Sequence, residues 1–498
     1  MSEGEVVGIV ANGALPHSFD AITRDAVPVG DYLVARTADG REVLGMVEST
    51  SIESEVMGIV RTFSDALRAG ELAMANPYDK SYTCRVRVLG LLEGLRSGEV
   101  IMPSLPPVPG SAVRRATPGE LSEVFGGSGR SWVPIGSLLR SREVRVHVDI
   151  NKVASRHLAI LASTGAGKSN LLALLAKAIA NLRGTMVIFD YHGEYGGLDL
   201  NGRENHVEPT INPEDLDPDE LADLLDIGEG ASRQRYVLAR ALDRARGSRD
   251  FWDGLLSGVE QVGRDEREYR EAAERVADII RLALRRYRTV LSPGAVPPVR
   301  RLAEGRVNIV NLSGLSPAQA DVVISRYMED VLVERKRCVG DSRGGCALGR
   351  PVVLALEEAH VFVAQNRRTR TKDVASMIAR EGRKFGVSLV IVSQRPQRLD
   401  QDVLSQMGSL AVGRLINQRD RSFVQESSEY LTEEMAEYLP DLNPGEAILL
   451  GQWVKLPTLV KVDRVEEKRA GRDIDAVEEW SRGSELGPSE DTEEFIRR

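Results

Sequence analysis

Eight residues constrain this chain more than any others: Ala162-Ser-Thr-Gly-Ala-Gly-Lys168-Ser169. The apolar run His157–Leu161 precedes them and a helical pattern, Asn170–Leu182, follows. Strand, glycine-rich turn and helix in that order make a phosphate-binding loop. Gly165 and Gly167 let successive backbone N–H groups curl around an anion at a helix N-terminus. Lys168 is then placed to reach β- and γ-phosphates, and the Ser169 hydroxyl to hold Mg²⁺. The expected nucleotide-binding set is Ser163, Thr164, Gly165, Ala166, Gly167, Lys168, Ser169 and Asn170. Ala162 stands where the first glycine is usual, so it must adopt the turn's backbone angles.

Such a loop belongs in a parallel sheet, and from about residue 145 the chain has that grammar. Strand-like runs fall at His157–Leu161, Thr185–Phe189, Arg306–Leu312, Val352–Leu356, Leu389–Ser393, Leu410–Gly413 and Ala447–Leu450, most of them separated by longer helical patterns. Between Asn212 and Arg288 only helical spacing appears, which predicts an all-helical insertion at about 213–300. The start of the chain reads differently. Val6–Val10, Asp31–Thr37, Glu42–Val47, Gly58–Phe63 and Cys84–Leu92 are short β-branched or alternating runs, with Asp39-Gly40 as a hairpin turn. They suggest a small barrel. The expectation is an α/β protein with a barrel at 1–100, a proline-rich connector at 101–145, a core with a mostly parallel sheet at 146–465 and an acidic tail at 466–498.

Further candidates sit where strands end. Val352–Leu356 runs into Glu357-Glu358-Ala359-His360. The first acid would hold the hydration shell of Mg²⁺ and the second would polarise an attacking water. Gln394, after Leu389–Ser393, is placed to sense a γ-phosphate, because strand C-termini in a parallel sheet converge on the ligand crevice. Asp190 and Glu194 are candidates for the surrounding shell by the same logic. Arg380 and Arg383 lie one turn apart on a helical pattern, where either could stabilise the charge of a transferring phosphoryl group; a solvated basic face is the plain alternative. Arg367, Arg368, Arg370 and Lys372 precede that pattern and are the DNA-binding candidates. Leu312-Ser-Gly-Leu-Ser316 looks like the ABC transporter signature, but Ser316-Pro317 reads better as a helix cap followed by an N1 proline.

Net charge is −9, which at face value argues against a nucleic-acid partner. Residues 1–75 carry 12 acidic and 5 basic side chains, and 466–498 carry 11 and 6, so the stretch between is about +3. Local field governs polyanion binding, and the bulk number therefore excludes little. With 42% hydrophobic and 28% charged residues the chain is neither a disordered polymer nor a membrane protein. No apolar run reaches the ~18–20 residues of a membrane helix, and no basic-then-apolar leader opens the chain, so a cytoplasmic protein is expected. None of the three cysteines has zinc-ligand spacing, and whether Cys338 and Cys346 pair stays open.

Taken in order, Ala162–Asn170, Asp190-Tyr-His-Gly-Glu-Tyr195, Glu357-Glu-Ala-His360, Arg380-Glu-Gly-Arg-Lys-Phe-Gly386, Ser393-Gln-Arg-Pro396 and Pro444-Gly-Glu-Ala447 resemble the HerA family of archaeal hexameric DNA translocases, in the FtsK–HerA class. Gly8-Ile-Val10, Gly30-Asp31-Tyr32 and Val43-Leu-Gly-Met-Val47 are similar to the barrel that family shares with rotary ATP synthase subunits. The resemblance implies a RecA-like core, a homohexamer using ATP and Mg²⁺, and an arginine finger, Arg383 or Arg380, reaching a neighbour's nucleotide. It also implies duplex DNA in a central channel and a NurA-like nuclease partner in double-strand break end resection, docked through the barrel. Ala162, and Glu357 in place of an aspartate, are departures from the commonest pattern. The rival readings are a ring ATPase for protein secretion or conjugative coupling, and a nucleotide-dependent scaffold.

Overall fold

The computed structural model describes residues 4–465, except 59, 77–78, 287–289 and 341–344. The acidic tail expected at 466–498 lies outside the described residues. Alternation builds the N-terminal part. β1 (Val6–Val10), β2 (Ser18–Thr23), β3 (Tyr32–Arg36), β4 (Glu42–Ser54), β5 (Lys80–Leu91) and β6 (Ala112–Arg115) close into a barrel in the order β1-β2-β5-β4-β3-β6. Phe19, Leu33, Val43, Val86 and Val113 point inward and form its own small core. Asp39-Gly40 makes the β3–β4 turn, with Gly40 at φ +83°, a backbone angle glycine adopts without a steric penalty.

Two expectations differ from this. Gly58–Phe63 is not a strand: Gly58 ends a helical turn, Glu55–Gly58, and Thr62 caps the helix Phe63–Ala75 by accepting the Asp65 N–H. The barrel also does not close by residue 100. β6 lies inside the stretch read as a connector and seals β1 against β3. Its four residues are too few to set up a visible alternation between prolines.

The second part is an eleven-stranded sheet. Its strands are β7 (Trp132–Leu138), β8 (Arg145–Asp149), β9 (Leu158–Leu161), β10 (Thr185–Asp190), β11 (Glu204–Val207), β12 (Val307–Asn311), β13 (Val352–Leu356), β14 (Val387–Ser393), β15 (Ser409–Gly413), β16 (Glu446–Gly451) and β17 (Thr458–Val462). Their order is β11-β12-β10-β13-β14-β9-β15-β16-β17-β7-β8. From β11 to β15 every pairing is parallel, and from β15 to β8 every pairing is antiparallel. β9, β13 and β14 are buried along their whole length, as central strands of a sheet covered on both faces must be. That is why they read as unbroken apolar runs. β7 tolerates Pro134 because the proline falls where the register to β8 slips.

Between β11 and β12 the chain is helical, with Pro218–Leu224, Ser232–Ala245, Phe251–Asp265 and Arg270–Arg286 packing through Leu238, Leu242, Leu255, Val259 and Ile280. Ser316 caps the helix Pro317–Gly340: its N–H donates to Gln319 Oε1 at 2.9 Å and its hydroxyl accepts the Gln319 N–H at 3.4 Å. The α/β fold with a mostly parallel central sheet, a helical insertion and an N-terminal barrel is the one observed. Cys338 and Cys346 are disulfide-bonded. No helix among the described residues is long and apolar enough to cross a membrane.

Candidate active site

β9 delivers the chain into the phosphate loop between the ends of its two neighbours. The Ala162 N–H donates to the Ser393 carbonyl at 3.2 Å, and the Ser163 N–H to the Arg414 carbonyl at 2.8 Å. Gly165 and Gly167 have φ +74° and +105°, the left-handed angles that the curl of the loop requires. A Cβ on Gly167 would meet the Gly445 Cα at 3.4 Å, an ordinary contact, so the backbone angle alone calls for glycine there. Gly445 is close because its own N–H donates to the Ala166 carbonyl at 3.0 Å, so Pro444-Gly-Glu-Ala447 backs the loop. Ala162 is accommodated by a complementary gap. A Cβ on Gly413 would sit 2.9 Å from the Ala162 Cβ, so the missing side chain at the end of β15 makes room for the extra methyl.

Helix Lys168–Asn181 starts at the loop, with its first N–H groups directed at the ligand position. Lys168 Nζ donates to the Ser163 carbonyl at 3.1 Å. Burial lowers its pKa from the ordinary lysine value, opposed by the Glu358, Glu194 and Glu357 carboxylates around it. Asn170 departs from the expected set. Its amide donates to the Asp463 carbonyl at 2.8 Å and accepts the Val465 N–H at 2.9 Å, so this side chain ties down the segment after β17 and does not face a phosphate.

The two acids leave β13 in different surroundings. Glu357 is buried, and its Oε1 accepts the Tyr195 hydroxyl at 2.6 Å. Burial first, and then Glu357, raise the Tyr195 phenol well above the ordinary tyrosine value, which keeps it a donor. Tyr195 is brought there by Asp190, whose two oxygens accept the Glu194 and Tyr195 N–H groups at 2.9 Å each. Asp190 therefore shapes the turn after β10. Glu358 adopts φ 47°, ψ 39°, a left-handed conformation that costs a non-glycine residue on the order of 1 kcal/mol or more. Strain of that kind persists where neighbours over-determine it, and here Oε2 accepts Gln394 Nε2 at 3.1 Å and lies 3.3 Å from His360 Nδ1. Gln394 in turn accepts the Thr164 hydroxyl, which links the second acid to the phosphate loop. Tyr195 and His360 complete the site; the sequence carried them only as the closing residues of the motifs Asp190–Tyr195 and Glu357–His360, with no role assigned to either.

A family model described as the helicase HerA central domain matches residues 133–331. A Sulfurisphaera tokodaii protein named DNA double-strand break repair helicase HerA is 35% identical over 501 residues, covering 96% of this chain and 97% of that one. The chain belongs to the HerA family. A Pyrococcus furiosus protein of the same name is 32% identical over 542 residues, covering 96% and 97%. Among solved structures, VirB4 of Thermoanaerobacter pseudethanolicus aligns with TM-score 0.49 and 17% identity, over 69% of this chain and 99% of that one.

In this HerA-family chain the two arginines of helix Arg370–Phe385 stand far from the phosphate loop of their own chain. That helix leads into the N-terminal end of β14, whereas Gln394 and the phosphate loop lie at its C-terminal end. Six steps of roughly 3.3 Å separate the two ends of the strand by about 20 Å. Both arginines are exposed. Arg380 Nε donates to the Ser376 carbonyl at 3.2 Å, and Arg383 has no side-chain hydrogen bond or ion pair among the described residues.

The basic run straddles the helix start: Arg367 and Arg368 precede it, whereas Arg370 and Lys372 lie in its first turn. Arg370 reaches Asp223 at 3.3 Å and Asp217 at 3.7 Å on the helical insertion, and Lys372 reaches Asp400 at 2.7 Å. Those cations hold elements together and are not presented to a polyanion, which corrects the expectation for these two. Arg367 and Arg368 are exposed, with Arg368 3.6 Å from Asp373.

Proposed function

We propose that this chain is an ATP-driven DNA translocase and helicase that works as a ring and acts with a NurA-like nuclease in resecting double-strand break ends. The observation that carries the reading is the division of the catalytic groups between opposite ends of one sheet. Phosphate loop, Glu357, Glu358 and Gln394 converge at the C-terminal ends of β9, β13 and β14. Arg380 and Arg383 stand at the opposite end, facing outward. An arginine placed there serves a phosphoryl group held by another copy, which requires subunits in head-to-tail order.

Within one subunit, the loop amides and Lys168 bind the triphosphate, Gln394 orients the γ-phosphate, and Glu358 takes the proton of the attacking water. The residues fit a hard divalent cation, since Ser169 and Glu357 offer only oxygen donors beside the phosphate position. Bound Mg²⁺ would supply charge neutralisation at the phosphate oxygens. Arg383, with Arg380 one turn earlier, completes the site in the neighbour. The double-strand break repair helicases that match over almost the whole chain support DNA as the substrate, and Arg367 and Arg368 are its contacts in our reading.

ATP hydrolysis measured with and without linear duplex DNA tests this. A motor on DNA gives stimulated turnover that falls as salt rises, because phosphate contacts release counterions. Full turnover indifferent to DNA would overturn the reading.

A further inference from the structure

We propose that His360 is a positioning residue for the hydrolytic carboxylate, holding Glu358 toward the attacking water throughout the nucleotide cycle. The inference rests on Glu358 being the proton acceptor, and it goes beyond that assignment by identifying what aims it.

Three observations carry it. Glu358 leaves β13 in a left-handed conformation, so its carboxylate is aimed by side-chain partners and not by the run of the backbone. Of the partners on Oε2, Gln394 is shared with the phosphate loop through Thr164, and both of those side chains border an open cleft beside that loop, where a ligand can reach them. Their contacts must rearrange when the ligand arrives. His360 is different. Its side chain is only 8% exposed, and it rises from the short helix Ala359–Phe362 two residues after the acid.

His360 Nδ1 lies 3.3 Å from Glu358 Oε2 without a hydrogen bond between them, and its hydrogen-bond partner is the Ser393 hydroxyl. The Ser393 hydroxyl, also 3.3 Å from Nδ1, accepts the Arg395 N–H at 3.1 Å and so is itself tied to the end of β14. The imidazole thus bridges the ends of β13 and β14 and meets the acid from the protein side. When Gln394 turns to a bound γ-phosphate, His360 remains.

The test is kinetic and uses the full chain with three substitutions. His360→Ala removes the imidazole that packs against the acid. His360→Asn places an amide N–H the same number of bonds from Cβ as Nδ1, and His360→Gln places it one bond too far. Misaiming a catalytic group by about 1 Å can cost on the order of a hundredfold, so kcat should fall at least about tenfold in His360→Ala, with KM and melting temperature little changed. Asn should restore most of the loss and Gln little. In a Glu358→Asp background, whose carboxylate is already displaced, His360→Ala should cost much less than in the wild type, because a residue acting through another contributes little once that other is misplaced.

Wild-type kcat in His360→Ala would overturn the inference. So would equal losses in the Ala and Asn variants, or an undiminished loss in the Glu358→Asp background. Full turnover in Glu358→Gln alone would instead remove the proton-acceptor assignment beneath it, and the two failures are therefore distinguishable.

Discussion

Lys168 sits where its own charge is disfavoured, half-buried and held, among the described residues, by the Ser163 carbonyl and the fields of three carboxylates. A bound triphosphate supplies the counter-charge the pocket lacks, so the lysine contributes most when ligand is present. Lys168→Ala should abolish turnover, read as phosphate release. Glu358→Gln keeps the shape and loses the proton acceptor; it should bind ATP and retain it unhydrolysed, seen by filter retention of labelled nucleotide. Full turnover would refute the assignment.

A second residue makes a prediction about pH. His157 is buried at φ 60° and accepts the Leu389 N–H on Nδ1 at 2.9 Å. Burial pulls its pKa down to about 4, with the Ala379 carbonyl opposing. An unfolded chain protonates this histidine below pH ~6.5 while the folded chain does not until about pH 4, so stability is present above 6.5 and is lost as pH falls through that window. The loss is on the order of 3 kcal/mol. Urea melts of wild type and His157→Asn between pH 7 and 4 should show a shallower acid limb in the variant, whose amide oxygen can still accept the Leu389 N–H.

At the scale of elements, legibility followed burial. β9, β10, β13 and β14 are apolar throughout because both faces are covered, and each was visible in the sequence. β6, with four residues, and β11, with one buried side chain, bury too little to leave a pattern. The site divides in the same way. Loop, acids and Gln394 were legible because strand ends mark them. Asn170, Arg370 and Lys372 were misjudged because long-range partners, Asp463, Asp223 and Asp400, claim their side chains. It follows that Arg367→Ala with Arg368→Ala should weaken DNA stimulation and leave basal hydrolysis intact. Arg370→Ala should instead lower the melting temperature, since it frees the insertion from the helix. Equal effects of the two on DNA response would show that the surface distinction is wrong.

The Cys338–Cys346 bridge belongs to this scale too. It closes a loop of eight-residue separation between the helix Pro317–Gly340 and the approach to β13. A loop that short constrains the unfolded chain by roughly 2–3 kcal/mol. Denaturation with and without reductant should show a loss of that order, and Cys338→Ser should reproduce it without reductant.

For the whole molecule, the distance between the two halves of the site decides what experiment is informative. Arg383 and the phosphate loop of one chain stand at opposite ends of β14, a strand about 20 Å long, too far for a guanidinium to reach its own nucleotide. If the arginine acts across a seam, a subunit carrying Lys168→Ala has a dead pocket and a sound finger, while one carrying Arg383→Ala has a sound pocket and a dead finger. Each variant alone should be inactive. Mixed in equal amounts under conditions where subunits exchange, they create seams at which a sound finger meets a sound pocket. Hydrolysis should then reappear and scale with the product of the two fractions, reaching its maximum near equal mixing. Two inactive proteins that stay inactive when mixed, with exchange verified by fluorescence transfer between labelled subunits, would remove the trans role. Recovery that failed with Arg383→Ala but appeared with Arg380→Ala would move the finger one turn along the same helix.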